Sequence, residues 1–160
     1  MQTTEPLGVP RAETQRITAE EFVNVAASTD LFEIRTAELV MAKDVGPQTQ
    51  ELAEQLMEEH TASARELMML AEEEGISMPQ QMLPHHQQMY DELARLDGQR
   101  FEDQYLEAQR MTHAEAIALF EQAAVELENP EFRQFAEQTL PTLREHEQTI
   151  MQQRRPVQPQ

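Results

Sequence analysis

The chain has no cysteine among its 160 residues, which excludes disulfides, thiolate metal sites and a cysteine nucleophile. Basic residues are scarce as well, because 12 Lys and Arg stand against 30 Asp and Glu, for a formal net charge of −18. Phosphate binding needs Lys and Arg, so nucleic acid and anionic membrane surfaces are poor partners. No long apolar run is present, so the sequence predicts no membrane insertion.

Lysine is almost absent: Lys43 is the only one, and the remaining basic residues are arginines. An acidic, lysine-poor surface stays hydrated in strong brine, where charge repulsion is screened. This composition fits a protein from a halophile. It equally fits an ordinary acidic protein encoded by a GC-rich genome.

Apolar residues recur with the helical period, and strand patterns are absent. Caps and breaks predict helices over residues 19–44, 47–74, 85–96, 99–128 and 130–153. The pattern indicates an all-α, antiparallel four-helix bundle, with a short extra helix in the long crossover between the second and third long helices. Residues 18–153 are expected to form this single domain, between a disordered leader (1–17) and a disordered tail (154–160).

Each long predicted helix carries one ionisable residue inside its apolar face, at about 100° of turn per residue. Glu33 lies in the face of the first long helix, and His60 in that of the second. His113 and His146 lie in the faces of the last two long helices. Burying a carboxylate and three imidazoles is costly unless they are paired, so the four are expected to meet.

Depth along the helices selects the same residues. At 1.5 Å per residue, Glu33 and His60 lie roughly 18 to 21 Å from the first turn, and His113 and His146 roughly 24 to 26 Å from the last turn. With the crossover at one end of the bundle, all four lie within about two helical turns of one level. Face and depth therefore predict one shared site.

Glu33, His60, His113 and His146 suit a single divalent transition metal (Zn, Fe, Mn or Cu) as ligands. The alternative is a metal-free network, in which ionised Glu33 bonds a protonated histidine and the other two close the ring. The Glu-x-x-His pairs of ferritin-type di-iron centres are missing, because Met57, Arg110 and Leu143 stand three residues before the histidines.

The crossover holds a second group of candidate ligands: Met78, Met82, His85, His86 and Met89. Thioethers and imidazoles bind copper(I). Methionine at irregular spacing is more typical of adaptable packing. The sequence therefore favours packing here over a copper site.

Four segments carry a family resemblance: FVNVAASTDLFEIRTAELVMAK, EEHTASARELMMLAEEEGI, LDGQRFEDQYLEAQRMTHAEAIALFEQAA and LPTLREHEQTI. Their order and spacing resemble the bacterial domain-of-unknown-function family 4142 over nearly the whole chain. The motif residues of that family map onto Glu33, His60, Thr61, Phe101, Asp103, Tyr105, His113, Leu140, Pro141 and His146. Family members usually read Phe-Asp directly where Glu102 intervenes here, so either Glu102 or Asp103 is the counterpart.

The resemblance implies a ferritin-like fold and an exported, periplasmic or otherwise extracytoplasmic protein, but no established activity. The start of the chain has no apolar stretch typical of a signal peptide, so the cytoplasm remains an alternative. The leading hypothesis is a metal-binding bundle of the bacterial envelope, with a role in metal handling or stress. A mononuclear metalloenzyme and a structural or interaction protein with a metal-free Glu-His network are the alternatives.

Overall fold

A computed structural model of the chain describes residues 16–154. In this range the chain forms five α-helices and no strand: α1 Ala19–Ala42, α2 Pro47–Glu73, α3 Pro84–Ala94, α4 Gly98–Glu126 and α5 Pro130–Gln153. The prediction of an all-α chain is confirmed. The predicted leader and tail fall almost wholly outside the described residues. Across residues 16–154, no helix has the length and apolar character needed to cross a bilayer.

Local sequence sets the ends of the helices. The Thr18 hydroxyl accepts the N–H of Glu21 at 3.1 Å, and the Glu21 carboxylate accepts the N–H of Thr18 at 3.3 Å, which is a capping box. Proline opens α2, α3 and α5, where its missing N–H loses no helical bond. Gly75 follows α2 at a φ of 68°, a left-handed conformation that ends the helix and strains other residues.

The long helices pack mainly in sequential pairs, α1 with α2 and α4 with α5, and α2 also contacts α5. Their buried apolar residues form two clusters. The first includes Phe22, Phe120, Phe132 and Phe135, and the second includes Phe32, Leu52, Leu56, Phe101 and Ile150. Buried polar residues separate the two clusters along every long helix, so a polar layer crosses the middle of the core.

Lys43, the only lysine, ties the end of α1 to the end of α3. Its ammonium donates to the carbonyl oxygens of Ala94 at 3.1 Å and Leu96 at 2.6 Å. It also pairs with Asp97 at 3.1 Å. The last carbonyls of a helix lack partners within that helix, so this lysine caps α3 while holding the crossover against α1.

Glu102 holds the first turn against α4. One of its carboxylate oxygens accepts the N–H of Gly46 at 2.9 Å and the hydroxyl of Thr49 at 2.7 Å. The adjacent Asp103 is exposed and accepts a hydrogen bond from Gln99 at 2.8 Å. Glu102 and Asp103 were the two alternatives for the aspartate of the family's Phe-Asp motif. Of these two residues, Glu102 is the one that anchors the turn.

Replacing Glu102 with alanine is expected to cost about 1 to 3 kcal/mol of unfolding free energy, because two partly buried donors then lose their charged acceptor. Asp103→Ala is the matched control and should change that free energy by less than about 0.5 kcal/mol. Urea denaturation of both variants measures the difference. Equal losses would show that Glu102 does not anchor the turn.

Candidate metal centre

The three histidines that face and depth select meet in the polar layer. His60 on α2, His113 on α4 and His146 on α5 are all buried. Their ring centroids lie 5.4 to 5.6 Å apart, and one nitrogen of each lies within 4.8 Å of the others. Imidazoles from three helices therefore converge on one point.

Hydrogen bonds assign the tautomers of His113 and His146. A carbonyl oxygen only accepts, so His113 Nδ1 carries the proton that it donates to Gln109 O at 2.9 Å. His146 Nε2 hydrogen-bonds the Glu59 carboxylate, which in the neutral tautomer leaves His146 Nδ1 bare. His113 Nε2 and His146 Nδ1 then face each other at 3.3 Å, both as lone-pair acceptors. That contact is favourable only with a cation or an added proton between them.

His60 supplies a third nitrogen of the same kind. Its Nδ1 lies 2.8 Å from Asp30 Oδ1, and both side chains are buried. Its Nε2 is buried and has no hydrogen-bond partner among residues 16–154. A histidine held by a carboxylate through one nitrogen and unpartnered at the other has the arrangement typical of metal ligands.

Burial keeps the rings of His60 and His113 neutral. It lowers the pKa of His60 to about 3, with a further contribution from nearby His146. It lowers the pKa of His113 to about 3 as well, and His60 and His146 add to the shift. A neutral imidazole binds a metal ion without first losing a proton, so His60 and His113 are in their ligand form near neutral pH.

Glu33 lies beside this cluster and outside the converging nitrogens. Its Oε1 accepts the Thr112 hydroxyl at 2.8 Å and lies 4.0 Å from His113 Nδ1, the nitrogen already bonded to Gln109. Burial raises the pKa of Glu33 to about 8, against the opposing effect of Thr112 and Gln109. Glu33 therefore approaches His113 at Nδ1, the nitrogen that already donates to Gln109.

A cavity of about 30 Å³ adjoins His60 and His146. Glu59, Ser63 and Thr142 also line it. This space accommodates a water molecule, whereas small-molecule pockets measure about 300 Å³ or more. A metal held by the three nitrogens could carry a water as its fourth ligand, but the cavity leaves no room for a substrate.

Sequence reasoning missed the residues that hold the imidazoles. Asp30 lies one helical turn before Glu33, near the same apolar face, so its position could have been read from the helical period. Glu59 directly precedes His60 and is partly exposed, and nothing local shows that it reaches α5. The group that accepts the proton of His113 Nδ1 is the backbone carbonyl of Gln109, which no side-chain pattern reveals.

The methionines and the histidines of the crossover have different surroundings. Met78 packs against the first apolar cluster, and Met82 and Met89 pack against the second. The two crossover histidines instead meet Glu115 of α4. The methionines and histidines therefore do not form one thioether–imidazole site.

These features describe an all-α protein with a buried cluster of three histidines fit for a metal ion. The profile of the family described as a domain of unknown function, DUF4142, matches residues 5–152. The chain belongs to this family, as its motifs predicted. No curated protein is significantly similar to it in sequence.

Two solved structures are similar in fold. A DUF305 fragment from Deinococcus radiodurans is 18% identical over 84% of this chain and 93% of that one, with a TM-score of 0.73. CopM in the Cu(II)-bound form is 17% identical over 87% of this chain and 97% of that one, also with a TM-score of 0.73. At this identity the likeness establishes the helical fold.

Proposed function

We propose that this chain is a metal-handling protein that binds one divalent transition metal through His60, His113 and His146. The observation that carries the proposal is the convergence of three buried imidazoles, with one nitrogen of each within 4.8 Å of the others and with His60 Nε2 unpartnered among the described residues. Asp30 and Glu59 orient two of the rings. Removing such supporting carboxylates from metal sites typically weakens binding by about 10- to 100-fold.

The geometry favours zinc or copper among the metals considered from the sequence. Two nitrogens bound at 2.0–2.1 Å to a tetrahedral ion are separated by about 3.3 to 3.4 Å, and His113 Nε2 lies 3.3 Å from His146 Nδ1. Imidazole suits Zn and Cu better than it suits Mn, which prefers oxygen ligands. The Cu(II)-bound form of CopM, which is similar in fold, supports metal handling as the role.

Our proposal assigns the metal to three histidines and leaves Glu33 beside them. Glu33 approaches His113 at Nδ1, whereas the nitrogen that faces the cluster is Nε2. The burial that raises the pKa of Glu33 also favours its uncharged form, which is a weaker ligand. The four-residue ligand set stays a prediction that a Glu33 variant can test.

We further propose that the long helices form an antiparallel four-helix bundle of ferritin-like architecture around this site. The pairing of α1 with α2 and of α4 with α5, and the contact between α2 and α5, support it.

A location in the bacterial envelope, as expected from the family, is part of the same proposal. Cell fractionation with an antibody to the protein tests the location.

A mononuclear metalloenzyme is the second candidate, and the cavity beside His60 and His146 is the observation in its favour. A zinc-bound water there could act as a nucleophile. At about 30 Å³, however, the cavity holds that water and no substrate. We therefore rank metal binding above catalysis, and place the metal-free Glu-His network third because it leaves the buried His60 Nε2 without a hydrogen-bond partner among the described residues.

Metal analysis of untagged protein, freed of metal and reconstituted with Zn(II) or Cu(II), tests the proposal. We expect about one tightly held equivalent that survives gel filtration. His60→Ala/His113→Ala should remove it, because only one of three ligands remains. Cobalt(II) substitution should give the visible absorption of a tetrahedral site in the wild-type protein and none in the double variant.

His85→Ala is the matched control, because it removes a histidine outside the cluster and should retain the tight equivalent. Circular dichroism shows whether each variant is folded. His60→Gln preserves side-chain size if the double alanine variant unfolds. Wild-type protein that retains less than about a tenth of an equivalent after reconstitution with Zn, Fe, Mn and Cu would overturn the proposal.

A further inference from the structure

We propose that His85, His86 and Glu115 form a second divalent-metal site, open to solvent. His85 and His86 lie in the first turn of α3, and Glu115 lies on α4. His86 Nε2 is 2.8 Å from one oxygen of Glu115, and His85 Nε2 is 3.0 Å from the other. One ligand atom from each residue lies within 4.8 Å of the other two. Two imidazoles and a carboxylate thus meet at the junction of two helices.

His86 is held in place like a ligand. It is fully buried, and its ring lies 5.6 Å from that of Phe32. Its Nδ1 is 2.5 Å from the hydroxyl oxygen of Ser28, which also accepts the N–H of Leu83 at 2.8 Å. Without a metal, His86 Nε2 donates to the Glu115 carboxylate, which only accepts, and the Ser28 hydroxyl donates to Nδ1. A metal ion that replaces the Nε2 proton would reverse the Ser28 bond, because the hydroxyl oxygen has two lone pairs and can accept from both Nδ1 and Leu83. Ser28 would then anchor the ring through its second nitrogen, as in other metal sites.

The remaining ligands are open to water. The side chains of His85 and Glu115 are 51% and 39% exposed, so a metal bound here keeps coordination positions for solvent. Imidazole with carboxylate suits Zn(II), Cu(II) and Ni(II) better than Mg(II) or Ca(II). An ion at this site is therefore expected to exchange with solution, in contrast to an ion enclosed among the buried histidines.

The two sites do not share a ligand. Glu115 follows His113 by two residues on α4, so the two side chains point roughly 200° apart around the helix. Removing the ligands of one site therefore leaves those of the other in place. The second site does not rest on the proposed function of the first.

Calorimetric titration of the full-length, metal-free, untagged protein with Zn(II) in a non-chelating buffer tests the second site. We expect a weaker class of binding beside the tight one. His85→Ala/Glu115→Gln should weaken only that class, by more than about tenfold. Glu92→Gln, which changes an exposed carboxylate of α3, is the matched control and should leave both classes unchanged.

The His60→Ala/His113→Ala protein separates the two proposals, because it should keep the weaker class and lose the tight one. Cu(II) added to it should give an electron paramagnetic resonance spectrum with imidazole nitrogen coupling. That coupling should decrease when His85→Ala is added. If that double variant does not fold, the titration of wild type against His85→Ala/Glu115→Gln decides alone. A weaker class that is absent, or unchanged in the His85/Glu115 variant, would mean that Glu115 only pairs α3 with α4 and would overturn the proposal.

Discussion

Acidification of the metal-free protein from pH 6.5 to pH 3 is expected to lower its free energy of unfolding steeply. His60 and His113 have a pKa of about 3 in the folded protein, because burial disfavours their charged forms. In the unfolded chain the same rings titrate near 6.5. The unfolded state therefore binds more protons throughout this interval, and stability falls as the pH falls.

Each pH unit in this interval costs about 1.4 kcal/mol per ring, or about 5 kcal/mol per ring over the whole shift. Even one ring therefore accounts for a loss that is large against the roughly 5 to 15 kcal/mol of stability of a typical domain. Glu33 and Asp30 contribute in the opposite sense, since burial raises the pKa of both carboxyls and a raised pKa favours the folded state as the pH falls. The steepest loss is therefore expected below about pH 4, where the carboxyls no longer oppose the histidines.

Urea denaturation at pH values from 7 to 3, with a chelator present, measures this slope. His60→Gln/His113→Gln should have a shallower slope whatever its absolute stability. Ile150→Val removes one methylene from a fully buried side chain and is the control, because it should lower the curve without changing its slope. A double glutamine variant with the wild-type slope would contradict the assignment of the loss to these rings.

Glu33→Gln is expected to stabilise the metal-free protein at high pH, by up to about 5 kcal/mol at pH 9. The folded-state pKa of Glu33 is raised from 4.5 to about 8. The stability that its protonated form contributes is therefore complete below pH 4.5 and is lost as the pH rises to about 8. Glutamine is neutral at every pH and avoids this loss, so wild type and variant should differ little at pH 4.

The comparison at pH 4, 7 and 9 is made by thermal or urea unfolding. Glu38→Gln, on the exposed side of the same helix, should change the unfolding free energy by less than about 0.5 kcal/mol. A Glu33 variant no more stable than wild type at pH 9 would mean that the carboxylate is ionised and paired in the folded protein.

The same variant tests whether Glu33 is a metal ligand. The His60, His113 and His146 proposal expects Glu33→Gln to bind Zn(II) within about tenfold of wild type. A loss of tight binding would instead support the four-residue ligand set predicted from the sequence. Zn(II) binding and unfolding are both measured on the Glu33→Gln protein. Its free energy of unfolding shows whether a loss of binding comes from a folding defect or from a lost ligand.

Much of the fold could be predicted because its determinants are local. The Thr18 cap, the prolines that open three helices and Gly75 after α2 each act within one turn of chain. Helical period alone identified which residues face the core. The convergence of His60, His113 and His146 followed from face and depth, since both depend only on the rise and turn of a regular helix.

The partners of those residues could not be predicted in the same way. Asp30 lies 2.8 Å from a His60 nitrogen, whereas Glu33, one turn away, lies 4.0 Å from a different ring. Which carboxylate reaches a given imidazole depends on rotations of each helix about its axis by a few tens of degrees. Packing of bulky side chains in the two apolar clusters sets those rotations, and helical period does not.

By itself, the sequence of this protein determined five helices, their ends, and the placement of three histidines on inward faces at one level. Tertiary structure decided that Asp30 and Glu59 take the outer nitrogens of His60 and His146, and that Glu115 meets the crossover histidines. The physical reason is one of range. Helix formation depends on neighbours within about four residues, whereas a hydrogen bond between helices is decided by tenths of an ångström in how those helices pack.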